Sequence, residues 1–393
     1  MLIITAPGQG AQTPGFLAPW LELPGVAERL GAASELAGCD LIRFGTTASA
    51  DEIKDTAVAQ PLLVAAAIVA AAALSEAAPS EAEAVPADAA AGHSVGELGA
   101  GVIAGVLTAD DAMRLTGVRG RAMAAAAAAE PTGMTALLGG DQDEVLAAIA
   151  RHGLTPANVN AAGQVVAAGT MTALEAFAAD PPAGARLRPL QVAGAFHTRH
   201  MAPAVAALRD AAAGVSVADP AITLLSNADG AAVTTGKEWL ERIVTQVAAP
   251  VRWDLCMQTM ASLGVTALIE LPPAGTLAGL ARRALPGVAQ LAVKTPDQLG
   301  AARELIAEHC VAGPVADHDG HGAGHLPEWR LVVAPGSGTF RAGGDGLGMV
   351  VARSGERAVT APGPAEIIEW LVEDGDPVSE GQPLVRVQPR EGA

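Results

Sequence analysis

The sequence GHSVG at residues 92–96 stands between a short apolar segment, residues 84–91, and a helical pattern over residues 97–106. Glycines at the first and last of these five positions allow a sharp turn between a strand and a helix. In such a turn the serine hydroxyl points out over the edge of a sheet, and the N–H of Val95 is placed to donate to an oxyanion. The stretch therefore predicts an α/β fold with a nucleophile elbow at Ser94.

Strand and helix patterns alternate on both sides of this elbow. Residues 2–5 form a short apolar strand that ends in a glycine-rich loop, and a further strand is expected at 267–270, with helices around it. Between these strands one segment changes to the order strand, helix, strand, strand, helix, strand, which is typical of a ferredoxin-like unit. The patterns predict an α/β-hydrolase-like parallel-sheet subdomain at 1–125 and 194–310 with an inserted ferredoxin-like subdomain at 126–193.

Composition limits the class of protein. Half of the residues are hydrophobic but only 3% are aromatic, and much of the apolar content is alanine, so a large, helix-dense core is expected. The net charge of −18 argues against nucleic-acid and anionic-membrane surfaces, which need clustered Lys and Arg. Three scattered cysteines and the lack of a signal-peptide pattern favour a reducing cytoplasm. The longest apolar run, residues 61–74, is too short for a membrane span and predicts a buried helix.

A serine nucleophile needs a base, and few histidines are placed to act as one. His93 lies inside the elbow, and His152 and His200 fall at predicted surface positions. His197 falls where the inserted subdomain returns to the main sheet, and clefts form at such junctions. The residues alone leave two interpretations open for His197, a catalytic base or an ordinary loop histidine with a satisfied hydrogen bond.

Six short motifs stand in order along residues 1–310: PGQG (7–10), GHSVGE (92–97), VRGR (118–121) with Met123, NVN (158–160) with Gln164, AFHT (195–198) with Met201, and PVRW (250–253). Together they resemble the motif series of the malonyl-CoA:acyl-carrier-protein transacylases and of the acyltransferase domains of fatty-acid and polyketide synthases. The chain departs from this family at residues 271–275, LPPAG, where the family usually has Gly-Pro-Gly. The loss of a glycine at a tight turn predicts an altered loop there.

The resemblance implies roles for the residues at the matching positions. Ser94 is the nucleophile, and His197 is its base and acid. The N–H of Val95 and a second donor at Gln9 form the oxyanion hole. The main-chain carbonyl of Gln246 orients the histidine in place of the aspartate of a triad.

The resemblance also implies a pocket for a malonyl thioester. Arg119 is expected to hold the free malonyl carboxylate bidentately, because a guanidinium fork matches that geometry whereas an ammonium does not. Gln60, Phe196 and Asn160 are implied to line the pocket. A phenylalanine before the histidine accompanies malonyl selection in the synthase domains, whereas a serine accompanies methylmalonyl.

The implied reaction is ping-pong acyl transfer for fatty-acid or polyketide synthesis. Malonyl-CoA acylates Ser94, CoA leaves, and the phosphopantetheine thiol of acyl carrier protein takes the malonyl group, without a metal or cofactor. The alternatives are an esterase or thioesterase with the same elbow, and a non-enzymatic scaffold on an inactive transferase fold. We expect a monomer whose acidic carrier docks on a local basic face. Candidates for that face are Arg114, Arg121, Arg186, Arg188 and Arg199.

The C-terminal part of the chain has a different texture. Residues 311–326 are rich in Gly, Asp and His and predict a linker, in which three histidines could form at most a weak metal tract. Residues 327–393 alternate short strands with Gly, Asp and Pro turns, and their motifs resemble the two halves of a biotinyl/lipoyl-type domain. No lysine follows Lys294, which excludes covalent attachment of biotin or lipoate. The alternatives are an unmodified β-domain for assembly or partner docking and a purely structural appendage.

Overall fold

The computed structural model describes residues 1–75, 85–192 and 194–311, and most residues between 330 and 389. The chain divides into two compact units, Met1–Val315 and Ala316–Ala393. The predicted linker with its histidines lies outside the described residues except for its first position.

The first unit alternates helices and strands. Its strands are β1 (Leu2–Ala6), β2 (Ala89–Gly92), β3 (Thr132–Gly139), β4 (Thr155–Ala161), β5 (Gln164–Thr170), β6 (Ala185–Pro189), β7 (Thr223–Leu225), β8 (Ala232–Val233), β9 (Val251–Arg252), β10 (Ala267–Glu270) and β11 (Ala289–Ala292). Its helices are α1 (Val26–Ala37), α2 (Leu41–Thr46), α3 (Thr56–Leu74), α4 (Gly96–Ile103), α5 (Ala109–Ala129), α6 (Gln142–Arg151), α7 (Met171–Ala179), α8 (Ala202–Ala212), α9 (Gly236–Gln246), α10 (Trp253–Ser262), α11 (Thr276–Ala284) and α12 (Leu299–His309).

The main sheet has six strands in the order β11-β10-β1-β2-β7-β8. All neighbours run parallel except β7 and β8. The parallel strands are short apolar runs without alternation, because helices cover both faces of such a sheet. Ala6 at the end of β1 is in register with Gly92 at the end of β2. The loops that follow these two strands therefore meet at the carboxyl edge, where open α/β sheets bind ligands. The predicted mixed α/β class with a parallel sheet is confirmed.

A second sheet has the order β6-β3-β5-β4-β9. Its first four strands are antiparallel, whereas the two-residue β9 pairs in parallel with β4. The alternation along β3 and β5 separates two cores: Met134 and Val166 contribute to the main core, while Leu137 and Val165 pack with α6 and α7. One face of this sheet is therefore directed at the body that carries the elbow.

Helix α3 begins earlier than the apolar run predicted. The run starts at Pro61, but the helix begins at Thr56, because the side chain of Asp55 accepts a hydrogen bond from the N–H of Ala57 and caps it. Among the described residues, α3 is also the one helix long and apolar enough to cross a membrane. Its most apolar window is 72% buried inside the unit, as expected of a core helix. The extra turn carries Gln60 towards the elbow.

The second unit consists of two antiparallel sheets, ordered β12-β18-β16 and β15-β14-β13-β17. Its own core contains Phe340, whose ring lies 5.6 Å from that of Trp370. The strands are β12 (Arg330–Val333), β13 (Gly338–Arg341), β14 (Gly348–Ala352), β15 (Gly355–Val359), β16 (Ala365–Trp370), β17 (Pro377–Val378) and β18 (Pro383–Pro389).

Candidate active site

The elbow joins β2 to α4 and holds Ser94 in the left-handed backbone region, at φ 54°. A Cβ atom on Gly92 would lie 2.0 Å from the carbonyl carbon of Gly96, and one on Gly96 would lie 2.2 Å from the carbonyl oxygen of Ala6. Both positions therefore accept only glycine. Ser94 is a non-glycine residue in a strained backbone conformation, and such residues occur mainly at functional sites.

Asn227 holds the elbow in this conformation. Its Oδ1 accepts a hydrogen bond from the N–H of Ser94 at 2.7 Å, and its Nδ2 donates to the carbonyl of Gly92 at 2.7 Å. The side chain is fully buried in the loop after β7, the strand next to β2. Sequence reasoning missed this residue. The available signal was a polar residue directly after a buried strand, since such residues meet at the carboxyl edge of a parallel sheet.

Ser94 and His197 form a hydrogen-bonded pair. The Oγ of Ser94 lies 2.7 Å from Nε2 of His197, and Nδ1 of His197 lies 2.9 Å from the main-chain carbonyl oxygen of Gln246. Because a carbonyl oxygen only accepts, Nδ1 carries the proton and Nε2 is the free acceptor for the serine O–H. Burial, with the nearby charge of Arg119, lowers the pKa of His197 to about 3. The imidazole is therefore neutral and able to act as a base at any physiological pH.

The histidine is held by backbone as well as by side chain. His197 has φ 60°, and its N–H donates to the carbonyl of Val247 at 3.1 Å. Its ring and its backbone are thus both fixed by the end of α9 and the residue after it. In the sequence these residues lie far from His197, so only the folded chain reveals which carbonyl orients the ring.

Arg119 projects from α5 to the Ser94 hydroxyl and is 1% exposed. Its Nη1 donates to Oε1 of Gln60 at 2.6 Å, and its Nη2 donates to Oε1 of Gln246 at 2.8 Å and to Oγ of Ser94 at 3.3 Å. Burial lowers the pKa of the guanidinium to about 10, so it remains charged at neutral pH. A buried cation beside a nucleophile is suited to an anionic substrate group.

Gln246 takes part through its side chain as well as through its carbonyl. Its Oε1 accepts from Arg119, while its Nε2 donates to Oε2 of Glu97 at 2.5 Å and to Oδ1 of Asn227 at 3.3 Å. Glu97 is 1% exposed and had no predicted role. One amide thus connects the guanidinium, the elbow and a buried carboxyl.

The two predicted oxyanion donors lie on adjacent loops. Within the described part of the chain, the main-chain N–H groups of Gln9 and Val95 form no hydrogen bond with a protein acceptor. The Gln9 side chain is occupied, since it donates to the carbonyl of Lys54 and accepts from the hydroxyl of Thr56. A Cβ atom on Gly8 would lie 2.7 Å from the carbonyl oxygen of His93, so glycine permits this close approach of the loops.

A cavity of about 230 Å³ opens onto Ser94 between the two sheets. Ser94, His197 and Arg119 line it, and most of its exposed surface is apolar. The predicted pocket residues Gln60, Asn160 and Phe196 also line it, as does Gln9, the predicted second oxyanion donor. Asn160 also bonds His93, with Oδ1 2.9 Å from Nε2 of the imidazole. The apolar lining comprises Met123, Met134, Val166, Leu190, Val192, Leu277 and Leu280.

The LPPAG loop leads into α11, whose residues Thr276, Leu277 and Leu280 line one side of this cavity. Ala274 takes up φ 49°, a conformation that favours glycine. The buried carboxylate of Glu270 accepts hydrogen bonds from the N–H groups of Gly275, Leu277 and Ala278 at 2.7–2.9 Å. These bonds cap α11 and fix Thr276 and Leu277 against the cavity. Ser94 keeps its hydrogen bonds with His197 and Arg119 despite the departure from the family pattern.

Comparisons with known proteins agree with this site. The acyl transferase domain family model matches residues 7–301. The chain is 54% identical over 299 residues to the malonyl CoA-acyl carrier protein transacylase of Mycobacterium tuberculosis, covering 76% of this chain and 98% of that protein. It is 35% identical over 306 residues to the Escherichia coli K12 protein of the same name, covering 76% and 97%.

Solved structures give the same result. The crystal structure of MCAT from Mycobacterium tuberculosis matches with a TM-score of 0.74 and 54% identity, covering 77% of this chain and 99% of that one. A type II PKS acyl-carrier protein in complex with its malonyl-transacylase, PlMCAT:AntF, matches with a TM-score of 0.71 and 30% identity, covering 77% and 99%. The chain therefore belongs to the acyl transferase domain family and, within it, to the malonyl CoA-acyl carrier protein transacylases.

Proposed function

We propose that this acyltransferase moves a malonyl group from malonyl-CoA to the phosphopantetheine thiol of acyl carrier protein through a malonyl-Ser94 intermediate. The observation that carries the proposal is the buried guanidinium of Arg119, which lies 3.3 Å from the Ser94 hydroxyl. At that distance a cation can hold the far carboxylate of a malonyl group while the near thioester carbonyl faces the nucleophile. Fatty-acid synthesis is the pathway that the relatives' activity supports, with a polyketide carrier as the alternative.

In the first half-reaction, Nε2 of His197 takes the proton of the Ser94 hydroxyl as the oxygen attacks the thioester carbonyl. Negative charge then develops on the carbonyl oxygen, where the N–H groups of Val95 and Gln9 are available as donors. The imidazolium that forms donates through Nδ1 to the Gln246 carbonyl. CoA leaves as a thiol after taking the proton from Nε2.

The second half-reaction repeats these steps with a different nucleophile. The carrier thiol gives its proton to Nε2 of His197 and attacks the malonyl-serine ester. Collapse of the tetrahedral intermediate breaks the ester bond, and His197 returns the proton to Ser94. Most of the exposed surface of the cavity is apolar, which favours entry of the thiol arm over retention of water at this stage.

The two alternatives receive less support. A serine hydrolase normally orients its histidine with a carboxylate, whereas Nδ1 of His197 faces a main-chain carbonyl. A non-enzymatic scaffold would not require Ser94 to remain in a strained conformation 2.7 Å from a neutral imidazole.

Intact-mass spectrometry tests the proposal. Mixed with malonyl-CoA, the protein is expected to gain one malonyl group and to lose it when the phosphopantetheinylated carrier is added. Ser94→Ala should form no adduct, since the attacking oxygen is gone. Arg119→Ala should form it at least about a hundredfold more slowly, because a buried charge-assisted contact to the malonyl carboxylate is lost.

The control is Arg114→Ala, which removes an exposed arginine from the same helix and should acylate at the wild-type rate. The rate of acylation by acetyl-CoA should fall little in Arg119→Ala, because the acetyl group has no free carboxylate to contact the guanidinium. An adduct that decays to free malonate at the same rate with and without carrier would support the thioesterase alternative. No adduct on any variant would support the scaffold.

We further propose that the carrier docks beside β6. Arg188 and Arg186 pair with Ala136 and Leu138 on β3, and cross-strand partners share a face of the sheet. Ala136 lines the cavity, so the two arginines extend the cavity-lining face to its rim. Both are exposed, and neither has an ion-pair partner within the described residues. This leaves their positive charge available to an acidic carrier.

Two of the other candidate arginines are less suitable. Arg114 is neutralised by Asp110 at 3.7 Å and Asp111 at 2.9 Å, and Arg121 turns inward to the carbonyl of Ala37. Arg199 is exposed and remains a candidate. Of the five arginines, the pair on β6 is therefore the best supported.

Arg186→Glu with Arg188→Glu is expected to raise the KM for the holo-carrier by about tenfold or more, since two attractive contacts become repulsive. Transfer from malonyl-Ser94 to free pantetheine should not change, because that thiol has no acidic surface. Arg114→Glu is the matched control. Equal losses with carrier and with pantetheine would place the effect in the cavity and argue against docking here.

We also propose the finer organisation expected from the sequence. The parallel sheet at 1–125 and 194–310 is assigned as α/β-hydrolase-like, and 126–193 as ferredoxin-like, supported by the strand order β6-β3-β5-β4 with two helices on one face. The two small antiparallel sheets of the second unit support a biotinyl/lipoyl-like β-domain that lacks an attachment lysine. A cytoplasmic monomer is our working assignment.

A further inference from the structure

Glu97 is a buried carboxyl in the active site that the acyl-transfer mechanism does not use. It is the second residue of α4 and is 1% exposed. Its Oε2 accepts from Nε2 of Gln246 at 2.5 Å and from the N–H of Asn227 at 3.3 Å. Within the described residues its Oε1 has no hydrogen-bond partner. A buried carboxyl that is only half satisfied is unusual and calls for an explanation.

The Gln246 amide links this carboxyl to Arg119. Its Nε2 faces Glu97 while its Oε1 accepts from Nη2 of Arg119. The reverse orientation of the amide would direct an oxygen at a carboxylate and an N–H at a cation, so only one orientation is favourable. We call these three side chains the Glu97–Gln246–Arg119 network. In the free enzyme it contains one buried cation and one buried carboxyl that can balance it.

Substrate binding disturbs that balance. The proposed function brings a second carboxylate, that of malonyl, onto the guanidinium of Arg119. Two ionised carboxylates would then share one cation in a site where every charge is more than nine-tenths buried. Like charges in such a site favour protonation of one of them. The malonyl carboxylate would contact the guanidinium directly, whereas Glu97 is connected to it only through the Gln246 amide. Glu97 is therefore the carboxylate that becomes protonated.

The other ionisable groups near Glu97 do not compete for the proton. Arg119 on α5 is already protonated, and burial raises the pKa of the Cys256 thiol on α10, which keeps it neutral. Burial lowers the pKa values of His93 and His197, so neither takes up a proton readily. Burial raises the pKa of Glu97 itself to about 7, against the opposing effects of the Asn227 N–H, the Ser226 hydroxyl, the Gln246 amide and the charge of Arg119.

We infer that Glu97 takes up one proton from solution when the malonyl carboxylate binds Arg119 and releases it when the malonyl group leaves. The network then holds one cation and one anion in both states. Glu97 is thereby a positioning residue that acts through Gln246 and Arg119. Binding of an acyl group with a free carboxylate is coupled to proton uptake at Glu97, whereas binding of a neutral acyl group is not. This inference rests on the proposed function, because it requires malonyl at Arg119.

The sign of the pH effect follows. A group that gains a proton on binding makes affinity fall as pH rises, over the range in which the free enzyme is ionised. For Glu97 that range begins near pH 7. The affinity for malonyl-CoA should therefore fall by roughly five- to tenfold between pH 7.5 and pH 8.5. Ionisation of Glu97 should not change the affinity for acetyl-CoA. Because acetyl-CoA carries the same CoA phosphates, it controls for any pH effect that comes from those phosphates.

Isothermal titration calorimetry of the full chain carrying Ser94→Ala, which prevents acylation, measures the proton directly. The dependence of the binding enthalpy on the ionisation enthalpy of the buffer should show uptake of roughly 0.7 to 1 proton with malonyl-CoA at pH 8, and roughly 0.1 at pH 6. Acetyl-CoA should show almost none at either pH. Adding Glu97→Gln, a neutral side chain of the same shape, should abolish the uptake and make malonyl-CoA affinity independent of pH.

Two results would overturn the inference. The first is binding of malonyl-CoA to Ser94→Ala at pH 8 with no more proton uptake than acetyl-CoA shows, and the second is proton uptake that persists in the Glu97→Gln background. The first comparison needs no substitution at Glu97, so it decides the question even where that variant fails to fold. If malonyl-CoA neither binds Ser94→Ala nor acylates the wild type, the proposed function itself is wrong, and the two failures are thus distinguishable.

Discussion

His197→Ala is expected to slow the acylation of Ser94 by malonyl-CoA about a thousandfold or more. The imidazole lies 2.7 Å from the attacking oxygen, and in the described part of the chain Arg119 is the other ionisable group bonded to that hydroxyl. A guanidinium cannot accept the proton, so the serine would have to react unassisted. Rapid-quench measurement of malonyl-Ser94 formation in a single turnover gives the rate directly.

His200→Ala is the matched control, because this histidine lies three positions along the chain and pairs with Glu130 outside the cavity. It should acylate at the wild-type rate. Both variants should bind malonyl-CoA with nearly unchanged affinity, since Arg119 is intact in each. If His197→Ala acylates at a rate close to that of His200→Ala, the imidazole is not the base and the proposed mechanism is wrong.

Gly96→Ala is expected to lower the free energy of unfolding by about 3 kcal/mol or more. The added Cβ would lie 2.2 Å from the carbonyl oxygen of Ala6 and 2.8 Å from that of Pro7. Both are backbone atoms of the β1 strand and its loop, so relief requires α4 to move away from the central strand of the sheet. Urea denaturation followed by circular dichroism measures the loss, and reduced soluble expression should accompany it.

Gly300→Ala provides the comparison within a helix of the same unit. Among the described residues, no atom outside the neighbouring residues and the backbone of α12 itself lies within 4 Å of a Cβ built on Gly300, so the substitution should be neutral or should stabilise α12 by about 0.5–1 kcal/mol. The difference between the two variants separates steric exclusion from helix propensity. Similar unfolding midpoints for both would show that the elbow tolerates a side chain at its fifth position.

Much of the local structure was predictable from residue patterns. The order strand, helix, strand, strand, helix, strand expected of the inserted segment is observed over residues 132–189. The start of α3 was predicted too late, because the apolar run begins at Pro61 whereas the cap is the polar Asp55. Hydrophobic periodicity identifies an apolar stretch, but the end of a helix depends on a single side-chain hydrogen bond.

The sequence by itself determined the elbow, because a turn that admits only glycine at two positions and a serine between them is a property of neighbouring residues. The tertiary structure decided which groups act together there. Ser94 and Asn227 bond across 133 positions of the chain, and Arg119 and Gln246 across 127. Contacts of that range, and the burial that raises the pKa of Glu97 to about 7, depend on how helices and sheets pack, which no local pattern encodes.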